Sequence, residues 1–227
     1  MATNTVEGVL RASNGMMIPL EAEIAEGTES SLTTNTTYTV TAQSAGDYGQ
    51  GMTITHGMVF CDNGASYAYV LSQGLVAVTI PIGVKGVGSA MPALPKPYTL
   101  KPGDSVRVLN LTAAARNAAL SVYTNTGECR IFVGTPSGSG SQALLDLQTS
   151  NTIGSTLQGQ NIVSATFTSI DGAKVETPGA IIVSDANNVV GAVPMSNPAK
   201  TQPLDAPVFG APIALNYTDS FILNAWV

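Results

Sequence analysis

The sequence predicts an all-β protein, an antiparallel β-sandwich or barrel-like fold with extended Pro/Gly-rich loops, built as one domain or as two β subdomains. Short apolar runs alternate with polar residues at the period of two that half-buried strands require, as at residues 38–42. Hairpin-type turn signals separate such runs, for example Asn14-Gly15 and Asp171-Gly172. Helical patterns are confined to two short stretches, so an all-β class follows.

In the first half of the chain, strands are predicted at residues 6–10, 16–24, 38–42, 52–55, 58–61, 68–71 and 75–82. Residues 83–98 carry three glycines and three prolines. Proline cannot donate to a central ladder, so this segment is predicted to be a long loop or a boundary between two halves. An alternating strand follows the tight turn at Pro102-Gly103.

In the second half, strands are predicted at residues 119–123, 129–133, 161–170, 180–184, 189–193, 213–217 and 221–227. Residues 112–120 and 141–148 are the helical candidates, and both are too short for an isolated helix to be stable. The tail at residues 194–212 holds five prolines, which predicts extended, irregular chain.

These patterns divide the chain into an N-terminal β region with a terminal arm, residues 1–97, and a C-terminal β region with a Pro-rich tail, residues 98–227. The alternative is that both form one domain. No segment repeats at a fixed period, which argues against propellers and solenoids.

The composition points to an assembly. Charged residues make up 11% of the chain, against roughly 25% in an average soluble domain. A surface with so few charges predicts burial against neighbouring subunits. The net charge is −6 and the nine Lys and Arg residues are scattered, so no nucleic-acid partner is predicted.

The same reading predicts no membrane partner and synthesis in a cytoplasm. No apolar stretch reaches the length of a membrane-spanning helix, and the N-terminus lacks the pattern of a secretory signal. Cys61 and Cys129 each lie in or beside an apolar run, which favours reduced, buried thiols; a disulfide between them is the alternative.

No residue set predicts chemistry. His56 is the single histidine, and in a strand-like segment a hydrogen-bonded structural role is favoured over catalysis. The turns at residues 62–64 and 185–188 lack the carboxylate density of a calcium loop. The Gly-rich segments 83–88 and 134–140 lack the ending of a phosphate-binding loop. We therefore predict no catalytic, cofactor-binding or metal-ligating residue, and no enzyme activity.

Three function classes remain: a structural subunit of an assembly, a single-jelly-roll major capsid protein, and a β-sandwich hydrolase or carbohydrate-binding module. The last is disfavoured because aromatic residues make up only 6% of the chain and its one tryptophan is Trp226. The second is disfavoured because residues 1–10 carry no Lys or Arg for genome contact.

The polar N-terminal stretch, the Thr/Ser/Asn/Ala-rich strands and the Pro-punctuated segment 193–198 resemble those of tailed-bacteriophage virion proteins, notably the capsid decoration (cement) proteins. The resemblance implies a β-rich homo-oligomer, commonly a trimer, that sits over capsid lattice junctions in the virion. Its partners would be the major capsid protein and other copies of itself. On this reading, deleting residues 1–8 is expected to lower partner binding and to leave the fold intact.

Overall fold

The computed structural model describes residues 3–25, 28–34, 41–61, 66–84, 91–110, 118–134, 141–169, 179–183, 189–194 and 208–224. The chain forms two compact units, Met1–Leu111 with Lys200–Asp205, and Thr112–Ala199 with Ala206–Val227. The predicted all-β class with two β subdomains is confirmed. Residues 98–111, which the sequence analysis grouped with the C-terminal region, lie in the first unit.

The first unit contains β1 (Thr3–Ala12), β2 (Met17–Ala25), β3 (Glu29–Thr34), α1 (Ala45–Tyr48), β4 (Thr53–Cys61), β5 (Ser66–Ser72), β6 (Leu75–Ile80), β7 (Ile82–Val84), β8 (Ala93–Thr99) and β9 (Ser105–Asn110). Its strands follow the order β6-β5-β9-β3-β2-β1-β4-β7, and β8 also pairs with β4. All of these pairings are antiparallel except that of β4 with β7. The result is a nearly closed, barrel-like sheet.

Strand β3 joins the two halves of this sheet. Its C-terminal end pairs with β2 through Leu20 and Thr34, whereas its N-terminal part pairs with β9 through Leu32 and Val106. The alternation of the sequence directs one face of each strand inward, so the enclosed core is apolar. Its fully buried members include Leu10, Ile18, Leu32, Ile54 and Val106.

The second unit contains β10 (Ala118–Thr124), β11 (Cys129–Gly134), β12 (Ser141–Asp146), α2 (Ile153–Leu157), β13 (Asn161–Ser169), β14 (Gly179–Val183), β15 (Val189–Pro194), β16 (Val208–Ala214) and β17 (Ser220–Asn224). Its strand order is β15-β14-β17-β12-β11-β10-β13-β16. A separate core is formed by residues that include Leu120, Phe132, Leu144, Ile153 and Leu215.

The two units are copies of one topology. Among the described strands, β7 has no counterpart in the second unit. The other strands of the first unit, β1 to β6, β8 and β9, have the same order in their sheet as β10 to β17 have in theirs. In both units a short helix follows the third strand. The bulges coincide as well. The pairing of β1 with β4 shifts register after Arg11, and the pairing of β10 with β13 shifts after Tyr123.

The two copies leave no fixed period in the sequence because the spacing between equivalent residues varies. The spacing between equivalent residues is 112 from Gly15 to Gly127, 108 from Gly46 to Gly154 and 115 from Asp104 to Asp219. Insertions and deletions between the strands therefore break the period, and the matches that survive lie mainly in turns.

Several predicted elements are corrected. Residues 141–146 and 118–124 are strands, so the parts of the two helical candidates that the structure describes are not helical. Within the described ranges, the helices are the short turns α1 and α2. The segment 83–98 contains the end of β7 and most of β8, and the Pro-rich tail contains most of β16.

The structure does not fit a free arm at the N-terminus. Strand β1 begins at Thr3 and pairs with β2 on one side and β4 on the other. Val6 is fully buried in the core of the first unit. Removing residues 1–8 would delete half of a central strand, so we expect this deletion to unfold the first unit.

Candidate functional site

In each unit, the hairpin turn after the first strand, the helical turn and the turn before the last strand lie at the same end of the sheet, which we call the loop end. The antiparallel registers place them there. In the first unit, Ala12 pairs with Ile54 and Leu20 with Thr34, while Leu71 pairs with Ser105. The polar side chains that the structure brings together are concentrated at these loop ends.

A buried aspartate organises the loop end of the first unit. The Oδ2 atom of Asp104 accepts hydrogen bonds of 2.8 Å from the backbone N–H of Lys101 and from the hydroxyl of Tyr98. The backbone N–H of Gly46 in α1 donates to the carbonyl of Asp104 at 2.9 Å. Asp104 therefore fixes the turn before β9 and holds α1 against it.

Asp47 adds a second connection between α1 and this turn. Its backbone N–H donates to the hydroxyl of Ser44, the N-cap residue, and its Oδ1 atom accepts from the backbone N–H of Gly103 at 2.9 Å. The bond from Gly103, followed by the bond from Ser44, lowers the pKa of Asp47 below its usual range. For Tyr98, burial is the main cause that raises the pKa, and the bond to Asp104 adds to it.

The second unit repeats this corner with different side chains. The Oδ2 atom of Asp219 accepts from the backbone N–H of Asn216 at 2.7 Å, and Gly154 donates to the carbonyl of Asp219 at 2.9 Å. Ile213 stands where the first unit has Tyr98. Tyr98 pairs with Ile54 of β4, and Ile213 pairs with Ile162 at the equivalent position of β13. Asp219 therefore lacks the phenol that donates to Oδ2 of Asp104. The buried Oδ1 atom of Asp219 also has no hydrogen-bond partner among the described residues.

A polar cluster occupies the loop end of the second unit. It consists of Thr124, Thr126, Glu128, Arg130 and Gln160. The Oε1 atom of Glu128 lies 2.7 Å from both Nε and Nη2 of Arg130, while its Oε2 atom accepts from Nε2 of Gln160 at 2.7 Å. Thr126 donates to Oε1 of Gln160 at 2.7 Å and lies 2.8 Å from the hydroxyl of Thr124. The ion pair is largely removed from water, with 12% of the Arg130 and 30% of the Glu128 side chain exposed.

The first unit has apolar residues at the equivalent positions. When the first hairpins of the two units are aligned, Glu128 corresponds to Met16 and Arg130 to Ile18. Gln160 corresponds to Met52, because the backbone carbonyls of both accept from the equivalent turn before the last strand. Ile18 is buried in the core, and Met52 packs against that core. The loop end of the first unit also exposes large apolar side chains, with Met16 36%, Met17 44% and Leu75 50% exposed.

A further ion pair lies on the face of β5 and β9 that points away from the first core. The Nε atom of Arg107 lies 2.9 Å from Oε1 of Glu29, without the alignment of a hydrogen bond. The hydroxyl of Tyr69 donates to the same oxygen. Tyr69 is buried, whereas the side chains of Arg107 and Glu29 are 30% and 26% exposed, so this group is a partly exposed structural contact.

The single histidine and the two cysteines lie on strands β4 and β11. His56 lies on β4 opposite Arg11, and its Nδ1 atom is 2.9 Å from the hydroxyl of Thr55. Cys129 is a buried cysteine on β11 that forms no disulfide, whereas Cys61 ends β4 in the first unit. His56 thus has the hydrogen-bonded position that the sequence favoured.

Most of the candidate loops lie outside the described residues, namely the turns at 62–64 and 185–188, residues 85–88 and residues 135–140. Within the described ranges, no group of three or more His, Cys, Asp or Glu residues could hold a metal ion. None of the helices described is long and apolar enough to cross a membrane. Comparison with protein families, with curated proteins and with solved structures finds nothing that matches this chain.

Sequence reasoning missed both the aspartate corners and the polar cluster. The corner signal was present: Asp104 and Asp219 each follow a short turn and precede a strand. Ser44 and Thr152 are the N-cap residues of the two helical turns, and Gly46 and Gly154 are the second residues of those turns. The polar cluster has no local signal, because Glu128 and Gln160 are 32 positions apart.

Proposed function

We propose that this protein is a non-enzymatic virion structural protein, a capsid decoration (cement) subunit that binds a shell of major capsid proteins and assembles as a homo-oligomer. The observation that carries the proposal is the exposure of Met16, Met17 and Leu75 at the loop end of the first unit. Exposed large apolar side chains on a surface with few charges are typical of protein-binding surfaces.

The polar groups of the loop ends support a structural role. Asp104, Asp47 and Asp219 bond to backbone N–H groups of neighbouring turns. Glu128 is occupied by Arg130 and Gln160. Carboxylates used in this way hold loops in place. Rigid loops lower the entropy that a docking surface loses on binding, which favours stable attachment.

The proposal is tested with the full chain and with shells assembled from the major capsid protein encoded in the same genome. We expect the chain to sediment with those shells and to raise their thermal stability. Met17→Ser should weaken this binding at least tenfold, whereas Gln50→Ser, an exposed polar residue in the same loop end, should leave it unchanged.

The mass in solution tests the homo-oligomer, for which a trimer is expected. A monomeric chain that does not sediment with shells would overturn the proposal. Closed particles formed by the chain alone would identify it as a major capsid protein instead.

A further inference from the structure

The polar cluster of the second unit extends inward to three buried polar atoms that the described residues leave without a partner. They are Nη1 of Arg130, Oδ2 of Asp146 and Oε1 of Gln148. Asp146 is 2% exposed. Unpaired buried polar atoms cost free energy, so native proteins pair nearly all of them, with protein atoms or with ordered water.

The sheet register brings these residues to one place. Phe132 pairs directly with Asp146, so both side chains point into the second core. Arg130 lies two residues before Phe132 on the same face of β11. The backbone N–H of Leu147 still donates to Ile131 at 2.8 Å, which keeps the start of the following turn beside β11.

The hydrogen bonds already formed define which atoms remain available. Arg130 uses Nε and Nη2 on Glu128. Because the guanidinium is planar, Nη1 projects from the opposite edge, away from that carboxylate. Asp146 uses Oδ1 to accept from the backbone N–H groups of Gln148 and Thr149 and from the Thr149 hydroxyl. One donor atom, Nη1, and two acceptor oxygens are therefore left among these three side chains.

We propose that this part of the second unit is a binding site for a single buried water molecule. A water donates two hydrogen bonds and accepts up to two, which matches two acceptor oxygens and one N–H donor. A bare cation fits less well because it would lie beside the Arg130 guanidinium. The water would connect the ion pair of the polar cluster to the turn that follows β12.

The first unit lacks the groups for such a site. Ile18 stands in place of Arg130, and Thr34 stands in place of Asp146 at the end of the third strand. The Thr34 hydroxyl accepts from the backbone N–H of Gln43. The proposal therefore predicts one long-lived internal water at this position in the second unit and none at the corresponding position in the first.

A high-resolution crystal structure of the full chain tests the geometry. We expect a water within hydrogen-bonding distance of Arg130 Nη1, Asp146 Oδ2 and Gln148 Oε1. Direct bonds among these side chains with no water between them would overturn the proposal.

Oxygen-17 magnetic relaxation dispersion gives an independent readout in solution. Gln148→Leu should remove the signal of one long-lived water per chain, whereas Gln158→Leu, an exposed glutamine in the same unit, should keep it. Circular dichroism confirms that both variants are folded. An unchanged water signal in folded Gln148→Leu would contradict the proposal.

Discussion

Asp104 and Asp219 occupy the same place in the two units but have different partners. Asp104 accepts a hydrogen bond from the hydroxyl of Tyr98. In the second unit Ile213 stands at the position of Tyr98, so Asp219 has no such donor, and its Oδ1 atom has no hydrogen-bond partner among the described residues. The comparison isolates the contribution of one phenol group to a buried carboxylate. A hydrogen bond to a charged group contributes about 1.5–3 kcal/mol to stability.

The first prediction uses this pair. Tyr98→Phe should lower the free energy of unfolding by about 1.5 kcal/mol, since Asp104 loses a donor while the ring stays. Ile213→Tyr should raise it by about 1 kcal/mol by supplying Asp219 with a donor. Denaturant titration measures both. Tyr217→Phe is the control, because Tyr217 is 59% exposed and its hydroxyl contributes nothing to a buried network.

The second prediction concerns stability in acid. The pKa of Asp47 is lower in the folded chain than in the unfolded one, owing first to the bond from Gly103. Its contribution is therefore present above the unfolded pKa and is lost as the pH falls through the folded pKa. Asp47→Ser copies Ser155, the residue at this place in the second unit. Unfolding measured from about pH 6 to pH 2 should show a smaller loss of stability in the variant than in the parent. Equal slopes would mean that the carboxylate does not stabilise α1.

At the scale of single elements, alternation identified strands well where one face is buried and one is wet. It failed at β12, where residues 141–148 also suit a helix by their Ala and Leu content. There, pairing with β11 and β17 decides the structure, and this tertiary contact is not visible locally.

The sequence pattern also failed at β8, where the prolines argued against a strand. Pro95 and Pro97 lie where the register between β8 and β4 shifts, and neither is matched with a residue of β4, so their missing N–H groups disrupt no ladder.

The third prediction replaces residues of the polar cluster in the second unit by the apolar residues that stand at the equivalent positions of the first unit. Glu128→Met alone should cost about 3 kcal/mol, because it leaves the Arg130 charge largely buried without its partner. Adding Arg130→Ile and Gln160→Met rebuilds the apolar arrangement of the first unit. The triple variant should return to within about 1 kcal/mol of the parent. Thermal and denaturant unfolding give both values.

The reverse substitution is the control for this exchange. Met16→Glu places a carboxylate at an exposed position of the first unit, so its effect should stay within about 0.5 kcal/mol. A triple variant that is less stable than Glu128→Met would show that the two loop ends are not interchangeable.

At the scale of the whole molecule, the duplication is the feature that the sequence hid. Its traces are a few turn residues whose spacing varies between 108 and 115 positions, as Gly46 with Gly154 and Asp104 with Asp219 show. The buried faces of the two copies have also diverged. In the second unit, the face of β10 and β11 opposite the core buries Ser121 and Ile131. The equivalent residues on β1 and β2 of the first unit, Val9 and Pro19, are half-buried. Side-chain divergence of this size removes sequence similarity while the backbone registers persist.

The last prediction uses two glycines that the duplication makes equivalent. A Cβ atom on Gly46 would lie 2.6 Å from the backbone N of Asp104, and one on Gly154 would lie 2.6 Å from the backbone N of Asp219. Backbone atoms cannot yield as a flexible side chain does, so each Gly→Ala change should cost about 3 kcal/mol.

Because each unit has its own core, the loss of stability in these glycine variants should be confined to one unit. In hydrogen-exchange mass spectrometry, Gly154→Ala should lower protection in β10 to β13 and preserve it in β1 to β4, with the opposite result for Gly46→Ala. Gln158→Ala and Gln50→Ala, exposed residues at equivalent positions, should change neither. Loss of protection across both units in either glycine variant would show that the two cores unfold together.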